Sequence, residues 1–286
     1  HTRVRGNAAM VGGVGEQRRV PLEPEDVTVA MLLKQAGYAT GMTGKWGLGE
    51  PDTAAIPNLK GFDEWFGYLN QQHAHTYYTD YLWKNTERVT LKGNLNGQTN
   101  EYSHDLFAEF TLDFVRRHRD RKFFLYLPWT LPHGKYVVPS LESYAGMDWP
   151  ADYKVHAAMV TRLDREVGRI TKLIDDLGLG RDTLILFTSD NGPHEEGLHH
   201  VAFFQSNDGL TGRKRDLTEG GVREPFLARW PGKIKAGSKP CQAQNSHWVF
   251  GKCWRHMAQY FGRQISLPTI RVDQVAVFIF GNRIDG

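Results

Sequence analysis

Residues 183–191 read Thr-Leu-Ile-Leu-Phe-Thr-Ser-Asp-Asn, and Gly192 follows. The apolar run is short and ends in an acid and an amide, which predicts a buried strand of a parallel sheet. It delivers two oxygen-bearing side chains, Asp190 and Asn191, at its C-terminal end, where open α/β sheets place their ligand sites. Asp-Asn-Gly is also ordinary turn chemistry, so the pair alone leaves turn and site both open. Further on comes Arg213-Lys214-Arg215-Asp216, which leads into Glu219-Gly220-Gly221. Carboxylate and amide oxygens suit Ca²⁺ or Mg²⁺. With cations so near in sequence, the segment predicts a site for an anionic substrate beside a hard metal ion.

The rest of the chain supplies elements that such a strand can pack against. Pro24-Glu25-Asp26 is expected to open a helix whose apolar positions are Val29, Leu32, Leu33 and Ala36, with Gly37 as its C′ residue. A short strand over Tyr38–Trp46 should run into the turn Gly44-Lys45-Trp46-Gly47. Residues 62–90 are aromatic and predict strands and loops. Ser103 is a candidate cap for a helix carrying Leu106, Phe107, Phe110 and Phe114 on one face. Phe123–Leu127 predicts a buried strand followed by Pro132-His133-Gly134. The stripe Met159, Leu163, Val167, Ile170, Ile174 and Leu177 predicts a long helix over 151–177, ended by Gly178. A last strand is expected over Pro225–Trp230. Strands alternating with helices indicate a three-layer α/β/α domain around a central, mostly parallel mixed sheet.

At 286 residues the chain can bury one large core, alone or with a small appendage. Its formal net charge is +3, but the six basic and two acidic residues from Lys239 onward leave 29 basic and 30 acidic residues before it. The main body therefore has no electrostatic bias toward nucleic acid. No apolar stretch reaches the roughly 20 residues needed to span a bilayer. No signal peptide is recognisable after His1. The two cysteines, Cys241 and Cys253, both lie in the last part of the chain. There the texture changes: His247–Trp254 shows neither a helical nor a strand period, and 239–286 is expected to stand apart from the domain formed by 1–238.

Several side chains are candidates for chemistry, each with an ordinary alternative. Lys214 in a basic loop is by default solvated, but the adjacent Gly220-Gly221 lets backbone approach a ligand closely, and a lysine ammonium suits an oxyanion. Lys45 sits in a glycine-bracketed turn that lacks the P-loop spacing. His133 follows a proline in a loop. His73, His75, His194, His199 and His200 are ambiguous in a chain with 12 histidines. Tyr77, Tyr78, Tyr81 and Trp83 read as strand packing.

Taken together these segments resemble one family. Gly37-Tyr38-Ala39-Thr40-Gly41-Met42-Thr43-Gly44-Lys45-Trp46 resembles the second sulfatase signature. Gly61-Phe62-Asp63-Glu64-Trp65-Phe66-Gly67-Tyr68, Leu131-Pro132-His133, Thr188-Ser189-Asp190-Asn191-Gly192-Pro193, Lys214 through Pro225 and Arg229-Trp230-Pro231-Gly232-Lys233 follow in the family's order. The resemblance, over residues 1 to about 238, is to the type I, formylglycine-dependent sulfatases of the alkaline phosphatase superfamily. It implies that Asp190 and Asn191 are two of the ligands of a Ca²⁺ ion. It implies too that Lys45 and Lys214 contact sulfate oxygens and that His133 contacts the sulfate or assists the leaving alcohol. The substrate implied is a sulfated carbohydrate or another sulfate ester, with no nucleic acid and no membrane span involved. Sugar, sulfate position and oligomeric state stay open. The resemblance also implies a periplasmic or extracellular location.

Three departures qualify the resemblance. Gly47 stands where many members carry histidine, and His73 or His75 is the candidate replacement, with His194 a further substrate contact. The cysteine that becomes formylglycine has no counterpart in context here, and neither do the paired aspartates of the family's first strand. The chain as given is therefore expected to be inactive and to bind Ca²⁺ poorly. The match also stops after Gly237-Ser238, for which a frameshift near residue 239 is the expected cause. Two other classes remain in view: a phosphatase or phosphodiesterase of the same superfamily, and a binding protein that has lost its nucleophile.

Overall fold

The computed structural model describes residues 21–195, 200–238 and 276–281. Strands form where short apolar or β-branched runs are bounded by glycine, proline or turn residues. They are β1 (Ala39–Lys45), β2 (Glu64–Tyr68), β3 (Tyr81–Lys84), β4 (Glu87–Thr90), β5 (Phe123–Pro128), β6 (Thr183–Thr188), β7 (Phe226–Arg229) and β8 (Ala276–Gly281). The helices are α1 (Val29–Gln35), α2 (Ser103–Arg117), α3 (Ala151–Asp176) and the single turns α4 (Val201–Phe204) and α5 (Glu219–Val222).

The strands make one sheet in the order β4-β3-β2-β1-β5-β8-β6-β7. β1 pairs parallel with β2 and with β5, placing Met42 beside both Trp65 and Tyr126. β8 runs antiparallel to both of its neighbours, with Ile279 opposite Leu125 on β5 and Ile185 on β6. It follows that β6 points the same way as β5. Thus β2, β1, β5 and β6 share one direction, and the C-terminal ends of β1, β5 and β6 open on one edge. β3, β7 and β8 run against them, so the parallel frame expected from sequence is confined to part of a mixed sheet.

Alternation along each strand divides the core between the two faces. Leu125, Leu127, Ile185, Val277 and Ile279 pack with Phe107, Phe114, Met159, Leu163, Ile170 and Ile174 of α2 and α3. Met42, Phe124, Leu184, Leu186, Phe278 and Phe280 form the other face with Ala30 and Leu33 of α1. The result is the expected three layers. Ion pairs tie α2 to α3: the Arg162 guanidinium Nε donates to Asp105 at 2.7 Å, and Arg169 donates to Glu109 at 2.7 Å.

Two helix starts differ from expectation. Pro24-Glu25-Asp26 forms a turn, not the first turn of α1. The Asp26 carboxylate accepts from the Glu23 N–H at 2.8 Å, and the Lys60 ammonium donates to the Asp26 carbonyl at 3.2 Å. The cap is Thr28, whose hydroxyl accepts from Met31 N at 3.2 Å. Likewise Ser103 lies inside α2 rather than capping it. Tyr102 occupies the cap position, and Ser103 N donates to the Tyr77 carbonyl at 3.0 Å.

Of the tail, only 276–281 is among the described residues, and it lies within the sheet between β5 and β6. Val275–Phe280 is a continuous apolar run, the pattern of a strand covered on both faces. The aperiodic segment 247–254, His199 and both cysteines lie outside the described residues.

Candidate functional site

The site is built on the edge where β1, β5 and β6 end. Gly44, at φ +131°, allows the end of β1 to close on the end of β5: a Cβ there would stand 2.2 Å from the Pro128 carbonyl oxygen. Lys45 follows as the last residue of β1 and is buried to 6 % exposure. Beyond β5 the loop is pinned by Tyr77, whose single O–H is shared between the carbonyls of His133 at 2.7 Å and Thr130 at 3.0 Å.

His133 is the centre of the cluster. Its ring lies face to face with His75, with centroids 4.7 Å apart and planes 8° apart. His194 sits on it at 5.0 Å, and Tyr136 stacks parallel to His194 at 6.1 Å. The His133 Nδ1 is hydrogen-bonded to the Gly134 carbonyl, which can only accept, so the proton is on Nδ1. Nε2 is left as the acceptor and faces the Lys214 ammonium at 3.3 Å. Burial, the Lys214 charge and, less strongly, Lys45 and His194 push the imidazole down to about 3. His133 is therefore neutral at neutral pH, held so first by burial and then by the cations that share its site.

The β6 end and the 211–224 loop form one backbone unit. Gly192 N donates to the Gly221 carbonyl at 3.1 Å, and Lys214 N donates to the Pro193 carbonyl at 2.9 Å. A Cβ on Gly192 would meet the Gly220 carbonyl oxygen at 1.9 Å, so the two loops approach this closely only because residue 192 is glycine. Asn191 donates its amide NH₂ to the Gly192 carbonyl at 2.9 Å, which fixes the amide plane. Glu224, at 9 % exposure, is buried beside this unit, and its Oε1 has no hydrogen-bond partner. Burial and the Asp190 charge push the Glu224 carboxyl up to about 7.

Asp190, Asn191 and Glu224 offer carboxylate and amide oxygens only, the donor chemistry of Ca²⁺. A sealed, unpartnered carboxylate oxygen next to another carboxylate is costly unless a cation or proton neutralises it. On both counts these residues fit a hard cation. No cluster of three or more His, Cys, Asp or Glu side chains among the described residues is arranged for a metal. Formylglycine has no such fit: no cysteine is among the described residues, and neither Cys241 nor Cys253 has the sequence context for it.

Of the residues singled out from sequence, Lys45, His75, His133, His194 and Lys214 come together, with Asp190 and Asn191 on the adjoining loop. His73 faces elsewhere. Its Nε2 bonds the Thr79 hydroxyl at 2.6 Å, its ring stacks on Tyr81 at 4.3 Å, and burial pushes it down to about 4. Tyr77, Tyr136 and Glu224 were not singled out for the site. Tyr77 lay in an aromatic run that reads as packing, and Glu224 in Val-Arg-Glu-Pro carried no signal of its burial.

The chain matches the family described as Sulfatase over residues 4–251, past the limit near 238 drawn from motifs. It is 32 % identical over 246 residues to N-acetylgalactosamine-6-sulfatase of Canis lupus familiaris, covering 80 % of this chain and 42 % of that one. It is 32 % identical over 241 residues to arylsulfatase A of Homo sapiens, covering 74 % and 44 %. The chain thus spans less than half the length of these relatives. Among solved structures, Ps i-CgsB aligns with a TM-score of 0.71 at 25 % identity, covering 91 % of this chain and 58 % of that one. The same protein in complex with k-i-k-neocarrahexaose aligns at 0.68 and 26 % identity, covering 86 % and 56 %. Motifs in order, a three-layer fold and cationic side chains gathered at one sheet edge all meet in these matches: the chain belongs to the sulfatase family.

Proposed function

We propose that this chain carries the sulfuryl-binding part of a sulfuric ester hydrolase that acts on a sulfated carbohydrate. The observation that carries the proposal is His133, held neutral between the Lys214 ammonium and the His75 ring, with Lys45 behind it. Two ammonium groups around a neutral imidazole suit an anion. Lys45 and Lys214 take the non-bridging sulfate oxygens, where charge develops in the transition state. His75 and His194 flank His133 and shape the pocket for the ester. A bound Ca²⁺ would be held by Asp190 and Asn191 and would polarise the sulfate.

The proton follows from the electrostatics. With a sulfate ester bound, the Lys214 ammonium turns to the anion and its repulsion of imidazolium falls. The anion's own charge favours the protonated ring, so His133 can hold a proton at Nε2 for the leaving alkoxide.

The carbohydrate class is supported by the names of the relatives and by the neocarrahexaose bound to one structural neighbour. A periplasmic or extracellular location belongs to the same proposal, on family resemblance alone. No helix among the described residues is long and apolar enough to cross a membrane. The test is calorimetric titration of the chain with N-acetylgalactosamine 6-sulfate and with a sulfated carrageenan oligosaccharide, each against its desulfated form. Sulfated ligand should bind and desulfated ligand should not, and Lys214→Ala should weaken binding about tenfold, the worth of one charge-assisted contact. Equal binding of sulfated and desulfated sugars would overturn the proposal.

A further inference from the structure

Glu224 stands out among the buried polar groups that this function does not use. It lies two residues beyond α5, at the start of the run into β7, and Phe226 of β7 pairs with Thr188 of β6. The segment is thereby fixed at the same sheet edge as Asp190. Its backbone cannot drift, because Gly192 N is bonded to the Gly221 carbonyl and Gly220 N to the Thr211 carbonyl at 2.8 Å. A carboxyl group at 9 % exposure is therefore held against the Asp190 loop, with Oε1 sealed from solvent and unpartnered. No cationic side chain is bonded to it among the described contacts. Arg223, the adjacent residue, pairs instead with Glu219 on the surface, at 3.6 Å.

Leaving a buried carboxylate oxygen without a donor costs about 1–3 kcal/mol, and a second carboxylate nearby adds to that. Hydrophobic packing would be served as well by leucine or methionine. A carboxyl placed here makes physical sense when a cation sits between it and Asp190.

We propose that Glu224 is a further oxygen ligand of the cation site, joining Asp190 and Asn191. It brings a second negative charge to the site and adds an oxygen donor from a second loop. The assignment rests on the cation-assisted sulfatase site proposed above and deepens it. It also couples the Lys214 loop to the metal, because Glu224 and Lys214 flank the same Gly220-Gly221 turn.

The test is titration of the full chain with Tb³⁺, followed by luminescence and by competition with Ca²⁺, for wild type, Asp190→Asn, Glu224→Gln, Glu224→Asp and Glu219→Gln. Wild type should bind saturably, and both Asp190→Asn and Glu224→Gln should weaken binding at least tenfold. Glu224→Asp keeps the charge and should fall between. Glu219→Gln removes an exposed carboxylate of the same turn and should bind like wild type. If Asp190→Asn weakens binding and Glu224→Gln does not, the cation site stands and the Glu224 assignment is overturned. If wild type binds no Tb³⁺, or Asp190→Asn has no effect, the cation site fails and the assignment with it. Melting of the metal-free variants separates a structural role, which would shift stability and leave Tb³⁺ affinity alone.

Discussion

His75 and His133 share a stacked pair while His73, two residues before His75, is turned into a hydrogen bond with Thr79. The single turn His73–His75 separates the two side chains, so that His75 joins His133 and His73 does not. Sequence offered both as replacements for the imidazole missing at Gly47, because spacing alone cannot say which way a turn presents its rings. His75→Ala should lower affinity for the sulfated saccharide about tenfold while the melting temperature changes little. His73→Ala should do the reverse: it removes a half-buried ring and a hydrogen bond, at a cost of about 1–3 kcal/mol in stability, and leaves affinity within about twofold. The paired titrations and melts check this; a loss of affinity in His73→Ala equal to that in His75→Ala would refute the separation.

β8 shows what a strand's position contributes beyond its composition. Ile279 is fully buried between Leu125 and Ile185, and Phe278 and Phe280 face the opposite layer. Without β8, the inner edges of β5 and β6 would present unpaired N–H and C=O groups in the middle of the sheet. Ile279→Ala should therefore destabilise the protein by about 2–5 kcal/mol, as for other large-to-small changes in packed cores. Urea unfolding measures it, and a change below about 1 kcal/mol would mean that β8 contributes little to the native sheet. β6, β1 and β5 were legible in advance, because short apolar runs ending in Asp190-Asn191, Lys45 and Pro128 carry both period and punctuation. β8 was not, since the aperiodic residues around 247–254 coloured the whole tail. A frame change near residue 239 remains a proposal that resequencing across that position would settle. The start of α1 was misplaced for a local reason: Pro24 and two acids imitate a first turn, and it takes the Lys60 ammonium, distant in sequence, to hold them as a turn of another kind.

Across the whole molecule, burial of imidazoles sets an acid limit on stability. His104 on α2 is fully buried against Trp129, at 4.7 Å, with neither ring nitrogen hydrogen-bonded. Burial, and then the Arg162 and Arg165 charges, push it down to about 3 from 6.5. His133 and His73 are lowered in the same way, to about 3 and about 4. An unfolded chain protonates these rings near pH 6.5 while the native protein does not, so the unfolded state binds more protons and stability falls as pH drops. Glu224 works in the opposite sense between its ordinary 4.5 and about 7, because the native state holds its proton more tightly. One carboxyl against three imidazoles leaves acid destabilising. None of this was readable from a count of histidines, since the sign depends on which rings the core seals. His104→Phe keeps the ring against Trp129 and removes its titration. Urea unfolding of wild type and His104→Phe from pH 7.5 to 5.5 stays above 4.5 and 3.8, where Glu64 and Asp63, lowered in the native protein, begin to take up protons in the unfolded chain. Wild type should lose stability across that interval. The variant should lose less, by up to about 1.4 kcal/mol for each pH unit below 6.5. Identical pH slopes in the two proteins would show that His104 titrates freely, and that the layer between α2 and the sheet admits the charge its packing is built to exclude.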